Sequence, residues 1–300
     1  MKKKTYLFAL MAMALTLGSC SDNENGIGGE TSKYITVSTS IGNMTRVATD
    51  AKGGQTFEEG DEISVYAWTG DATIAPDASE RVVNNAINKL TNGSWVSTPQ
   101  MLWKNNRDKH YFIGVYPTAA ISDLSAGEYT FDVNKQTESD LLVAVNPDGL
   151  SYSADAQQIV PLTFTHVMAK LAVNLTYKNQ WGGIPTVEKV VVGNAAKEAT
   201  INYLTKVVTP STTAKEDFSL PEITENTKYV SVIIPQEDVK QLTIVIGGKN
   251  FVYDNSTPFK LESGKITTVN LEVGRDEIKL GDVKITDWED GSTFSGEALN

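Results

Sequence analysis

The chain of 300 residues contains one cysteine and two histidines. No disulfide can form within it, and no cysteine-based zinc site can be built from it. Basic residues are scarce as well: 26 Lys plus Arg stand against 37 Asp plus Glu, a formal charge of −11, and three of those lysines are Lys2, Lys3 and Lys4. A surface this acidic repels phosphate and anionic lipid, which argues against nucleic acid as a partner. The sequence has no glycine-rich phosphate loop, no HExxH and no G-x-S-x-G, so no cofactor, no metal and no enzymatic activity are expected of it. Helical periodicity is missing too. Beyond the N-terminus, no stretch long enough for a three-turn helix keeps a 3.6-residue apolar period free of Gly, Pro or a β-branched cluster.

What is present is a period of two. The longest apolar run outside the N-terminus, Ile159 to Tyr177, carries its large apolar groups on even positions as far as Met168 (Leu162, Phe164, Met168) and on odd ones from Val167 (Leu171, Val173, Leu175, Tyr177). Alternation means β-strand, and a change of phase near His166 to Met168 is what a bulge, or a strand leaving one sheet for another, produces. The run is therefore one long bent strand or two consecutive ones. Other stretches that alternate are Tyr34 to Ile41, Phe57 to Trp68, Val82 to Leu90, Trp95 to Val96, Tyr111 to Tyr116, Tyr129 to Val133 and Leu141 to Val145 in the first half. In the second half they are Val187 to Val192, Ala199 to Val208, Tyr229 to Ile234, Leu242 to Ile246, Phe251 to Tyr253 and Ile266 to Val273. Asn92-Gly93 and Gly247-Gly248 are hairpin turns, and Pro117 and Pro147 are expected to close strands because neither can donate to a ladder. Many short strands joined by turns predict an all-β chain of sandwiches. With a boundary in the Pro-, Asp-, Gly- and Ser-rich loop Asn146 to Ala156, the layout is a sandwich over 34–150 and a second over 151–300.

The N-terminus reads as an export leader. Lys2 to Lys4 precede the apolar stretch Tyr6 to Leu17, which is too short to cross a bilayer, and then come Leu17, Gly18, Ser19 and Cys20. The ending LGSC resembles the lipobox of bacterial lipoproteins. This resemblance implies removal of residues 1–19, lipidation of Cys20 and a stable hold on a membrane. Residues 20–33 are Ser, Asp, Asn, Glu and Gly with hardly an apolar side chain, the composition of a flexible tether. Asp22 and Glu24 look like the acidic signals that send some lipoproteins to the outer face of the outer membrane.

Few residues are candidates for chemistry. His166 lies inside the apolar run and His110 just before another strand, so both read as structural. Glu58, Glu59, Asp61 and Glu62 could supply a general acid and base, but with a turn at Gly60 they read as an acidic loop. The tryptophans, Trp68, Trp95, Trp103, Trp181 and Trp288, could line a sugar platform; packing in the core or at sheet edges is their commoner use.

Several motifs, in order, resemble one family. They are the lipobox leader, a strand followed by an arginine in a polar loop (Arg46), F-x-x-G-D-x-I-x-V (Phe57, Gly60, Asp61, Ile63, Val65), YFIGVYP (Tyr111 to Pro117), DLLVA (Asp140 to Ala144) and LTFTHVMAKL (Leu162 to Leu171). IIPQ (Ile233 to Gln236), F-x-x-x-x-G-K (Phe259 to Lys265) and the closing ITDW (Ile285 to Trp288) follow. Together they look like the fimbrillin-like family, the Mfa-like branch of the type V pilins. The resemblance implies two transthyretin-like β-sandwich domains in a cell-surface pilus subunit exported as a lipoprotein. It also implies that a trypsin-like protease removes the first strand after an arginine and that a strand from a neighbouring subunit fills the groove. The partners implied are other pilus subunits in a homo- or hetero-polymer, the outer membrane through the lipid, and host or microbial surface ligands. Arg46, five residues beyond Ile41 in a Gly-, Thr- and Asp-rich segment, is the candidate processing site. Asp276 to Trp288 is the candidate donor, with Ile278 and Leu280 on one phase and, after Gly281, Val283 and Ile285 on the other. The same segment could equally be the last strand of its own sandwich. A lipid-anchored protein that keeps its first strand and binds surface glycans is the alternative reading.

Overall fold

The computed structural model describes residues 33–42, 56–154 and 157–288. Cys20 and Arg46, with the leader and the tether, lie outside the described residues. The chain is all-β. In order the strands are β1 (Thr36–Ile41), β2 (Glu62–Thr69), β3 (Val83–Thr91), β4 (Ser94–Thr98), β5 (His110–Tyr116), β6 (Gly127–Thr130), β7 (Leu142–Leu150), β8 (Ile159–His166), β9 (Ala169–Tyr177) and β10 (Val187–Ala196). They continue as β11 (Glu198–Asn202), β12 (Val207–Pro210), β13 (Lys215–Ser219), β14 (Glu222–Thr224), β15 (Lys228–Ile233), β16 (Gln236–Ile246), β17 (Lys249–Leu261), β18 (Lys265–Val273) and β19 (Ile278–Asp287). The one α-helix among the described residues is the single turn Gln136–Ser139.

Four sheets result. The first has seven strands in the order β1-β8-β7-β5-β2-β3-β4, and β1 is parallel to β8. A four-stranded sheet, β13-β10-β16-β17, and a five-stranded one, β14-β15-β9-β18-β19, lie in the second half of the chain. A small sheet, β12-β11-β6, joins β6 of the first half to β11 of the second.

The chain passes from the seven-stranded to the five-stranded sheet at Val167–Met168, where the apolar phase changes. The two consecutive strands of the sequence reading are β8 and β9, in different sheets. The stretch Asn146 to Ala156, expected as a boundary loop between sandwiches, begins inside β7, which runs to Leu150, and the strands before and after it, β7 and β8, are neighbours in one sheet.

Burial explains which strands are central. In β2 the six residues Ile63 to Trp68 are all buried, because the seven-stranded sheet is covered on both faces; β8 alternates, exposed at Ile159, Pro161 and Thr163 and buried between them. One face gathers Ile63, Val65, Phe112, Leu162 and Phe164 with Val37 of β1 and Ile35 just ahead of it. The other contributes Tyr66, Trp68, Ile113 and Val115 to a larger core shared with β9, β10, β16 and β18.

Two expectations need correction. Pro147 does not close its strand: β7 runs on to Leu150, and the irregular pairing with β5 between His110 and Phe112 accommodates the residue that cannot donate. Ala199 to Val208 is a hairpin, β11 and β12, rather than one strand. Its reversal lacks a glycine and is made with Lys206 at φ 62° and with Asn202 Oδ1 accepting from the amides of Leu204 and Thr205. At the two expected hairpins, Asn92-Gly93 and Gly247-Gly248, both residues have positive φ, as a type I′ turn requires.

Candidate functional site: the edge strands

Strands β1 and β19 are sheet edges, and each leaves one row of backbone N–H and C=O groups without a strand partner in its sheet. β1 pairs along one side only, with Val37 opposite Val160 and Ile41 opposite Phe164. Its sequence alternates, so Ile35 and Val37 point into the core while Ser38 and Ser40 face solvent. Gly42 follows because a Cβ there would meet Thr163 Cγ2 at 2.7 Å.

On its other side β1 looks toward β4 across an open groove of about 650 Å³, lined by Val37, Ile41, Phe57, Leu90, Trp95 and Ile159 among others. At one end the two walls are bonded: the Ile35 amide donates to Met101 O at 2.9 Å and the Trp103 amide to Lys33 O at 3.2 Å. Midway the Trp95 indole N–H donates to Thr39 Oγ1 at 3.0 Å. The floor is aromatic, since Phe57 makes edge contacts with Trp95, Tyr116 and Phe164 at 5.1 to 5.3 Å.

β19 differs. It pairs with β18 along its whole length, yet most of its residues are exposed. A bulge at Gly281 puts Leu280 opposite Leu271 and Val283 opposite Val269. The two phases read in the sequence thereby merge, and Ile278, Leu280, Val283 and Ile285 form one stripe on the core-facing side of the strand. That stripe overhangs the core, so Leu280, Val283 and Ile285 are 37 to 39 % exposed.

The strand ends on Trp288, which is only 2 % exposed. Its ring stacks on His166 with centroids 4.0 Å apart and planes 7° apart, and Lys170 Nζ lies 4.0 Å from the indole centroid. Asp140 Oδ1 is 2.8 Å from His166 Nδ1, while His166 Nε2 is buried with no hydrogen-bond partner. Nothing in the sequence paired these four residues; the ITDW ending and a lysine inside an apolar strand are the signals they leave.

The other candidates have local duties. Asp61 accepts from the Glu58 amide and from the Tyr116 hydroxyl, Glu59 from the Asn92 amide, and Glu62 pairs with Lys89 at 3.1 Å. Burial, with the Asp61 charge adding to it, pushes the Tyr116 hydroxyl up to about 12. His110 accepts from the Lys104 amide at Nε2 and donates from Nδ1 to Asp108 O. Trp68, Trp103 and Trp288 are buried, and the indole N–H of Trp181 is bonded to Val273 O. No group of three or more His, Cys, Asp or Glu is placed to hold a metal ion among the described residues.

A model of fimbrillin-like proteins matches residues 45–288. A Bacteroides uniformis protein bearing the name of fimbrium subunit Fim1C is 25 % identical over 97 % of both chains. Among solved structures, a cell adhesion protein from Bacteroides uniformis superposes with a TM-score of 0.62 at 20 % identity over 86 % of this chain and 100 % of that one. One from Bacteroides ovatus superposes with a TM-score of 0.62 at 18 % identity, covering 85 % of this chain and 98 % of that one. Edge strands with aligned apolar teeth, an all-β fold shared with these structures and a match over most of the chain lead to one assignment: the chain belongs to the fimbrillin-like family.

Proposed function

We propose that this protein is a structural or accessory subunit of a cell-surface pilus, a fimbrium, that assembles by strand exchange and supports adhesion. The observation that carries this reading is β1, an edge strand paired along one side only, whose Val37, with Ile35 just ahead of it, is buried in the core. Their burial contributes about 3–6 kcal/mol, a large share of the roughly 5–15 kcal/mol that keeps a domain folded. A chain that loses β1 must refill the groove, and the bared edge of β8 is a template for another chain's strand.

In this reading Cys20 is acylated, the lipid carries the protein to the outer membrane, and cleavage after Arg46 frees β1. The donor is β19, with Ile278, Leu280, Val283 and Ile285 as its teeth. Other pilus subunits are the partners. The layout is two transthyretin-like sandwiches, with β8 serving the first and β6 bonded into the second half. The alternative of a surface glycan binder is weakened by tryptophans that are buried or bonded instead of forming an open platform.

The test is to express the chain from Ser21, cleave it with trypsin, and follow it by size exclusion and negative-stain microscopy beside Arg46→Ala and a chain ending at Gly274. Ladders or filaments from wild type and none from the truncation are expected. A cleaved wild type that stays monomeric turns the reading toward the glycan binder. A truncated chain that assembles as well as wild type removes β19 as donor, and Arg46→Ala that is cleaved and assembles normally moves the processing site elsewhere.

A further inference from the structure

We propose that Trp288 is a catch that holds β19 on its own subunit, and that its seat of His166 and Lys170 sets how readily the strand is released. The inference rests on the reading of β19 as a donor strand.

Three observations carry it. First, β19 is held from one side only: it is paired along its length with β18 but has no second strand neighbour, most of its residues are exposed, and Leu280, Val283 and Ile285 are more than one-third open. The deep burial comes at its end, in Trp288. Second, Trp288 lands where three segments of the fold meet. Its amide donates to Gly264 O at 3.0 Å; the Gly264 amide donates to Met168 O at 2.8 Å; and Ser263 Oγ donates to Val167 O at 2.9 Å. The indole therefore rests against the crossing from the seven-stranded to the five-stranded sheet.

Third, the seat is polar. Stacking on the imidazole and the cation–π contact with Lys170 hold the ring in place. Here the ring covers an imidazole whose Nε2 has no partner and approaches a lysine that is 4 % exposed. While the indole is in place it shields that nitrogen from water, and a buried unsatisfied polar atom is a cost of the closed state. When the indole leaves, water reaches His166 Nε2 and the Lys170 ammonium, which offsets part of the apolar burial given up. The catch is strong enough to locate the strand and is built so that opening it is not prohibitive. Asp140, hydrogen-bonded to His166 Nδ1, keeps the imidazole oriented in both states. Trp288 is thus a positioning residue for β19, separate from the teeth that would enter a neighbour.

Hydrogen exchange on the purified, uncleaved protein tests this, with Trp288→Ala, Trp288→Phe and Lys170→Met beside wild type. In Trp288→Ala the amides of β19 should exchange roughly a hundredfold to a few thousandfold faster, the loss expected of a truncated buried aromatic anchor, while those of β9 and β16 keep their wild-type rates. Trp288→Phe should restore part of the protection. Lys170→Met, which removes the cation–π contact with the indole, should speed exchange in β19, by less than Trp288→Ala does. If β9, β16 and β19 accelerate together in Trp288→Ala, or if Trp288→Phe and Lys170→Met leave β19 unchanged, Trp288 is ordinary core and the catch is wrong. The cleaved proteins are then compared for assembly. Faster exchange confined to β19 with no faster assembly keeps the catch and removes the donor-strand reading instead.

Discussion

Leu280 and Val283 stand on the same face of β19, although they are three residues apart, because Gly281 is the extra residue of a bulge opposite β18. In a regular strand they would point to opposite sides. Deleting Gly281 leaves Ile-Lys-Leu-Asp-Val-Lys-Ile, which alternates without interruption. The variant should keep its pairing with β18 and a Tm within a few degrees of wild type, and as a regular strand it should present all four teeth to a groove. Thermal unfolding with near-UV circular dichroism reads the first expectation; a drop in Tm of more than about 10 °C would mean that the bulge is required for the fold.

Gly114 on β5 is the residue that lets Phe164 lie across the sheet. A Cβ at Gly114 would meet Phe164 Cζ at 2.6 Å and Leu162 Cδ1 at 3.1 Å. Gly114→Val should therefore cost about 1–3 kcal/mol through overpacking and loosen β8, to which β1 is paired. Urea titration gives the size, and Gly114→Val with wild-type stability would refute the close approach.

His110 gives a pH dependence with a definite sign. Burial lowers its affinity for a proton below that of an ordinary histidine, opposed in part by its bond to the Asp108 carbonyl. The unfolded chain then binds a proton that the folded chain refuses. The stabilisation is fully present above the ordinary histidine value of 6.5 and is lost as pH falls below it. Between pH 7.5 and pH 5 wild type should lose more stability than His110→Gln, measured by urea unfolding at each pH. Equal losses in the two proteins would sink the assignment.

Cys20→Ala should leave the protein unprocessed or released from the membrane and without label from an alkyne fatty acid. The motive is the LGSC ending behind a short apolar stretch. Retention of the label in Cys20→Ala would show that the lipid sits elsewhere.

Much of the architecture could be read from alternation, because the side-chain period of a strand is written directly in the sequence. The phase change at His166 to Met168 marked a real passage between sheets. The Ala199 to Val208 hairpin escaped, since its reversal, Tyr203 to Lys206, holds no Gly, Pro, Asn or Asp and the one turn-forming side chain, Asn202, sits at the end of β11. Pro147 misled because its missing donor falls where the ladder is already irregular. The pairing of β6 with β11 and the meeting of Trp288, His166 and Lys170 were not legible at all. Such contacts are chosen by tertiary packing, and periodicity records only which face is apolar, never what that face will meet. The merging of the two apolar phases of β19 was hidden for the same reason, because Gly281 becomes a bulge only beside β18.

The parallel pairing of β1 with β8 also governs the order in which the chain can fold. Ser40 and Thr163, bonded side by side, are 123 residues apart. β1 comes first in sequence, yet it has no sheet to join until β8 is in place. Closing a loop of that length is slow relative to forming the hairpins β3–β4 and β16–β17. Within the seven-stranded sheet the strand that comes first in sequence is thus the last to dock, after the local hairpins have formed.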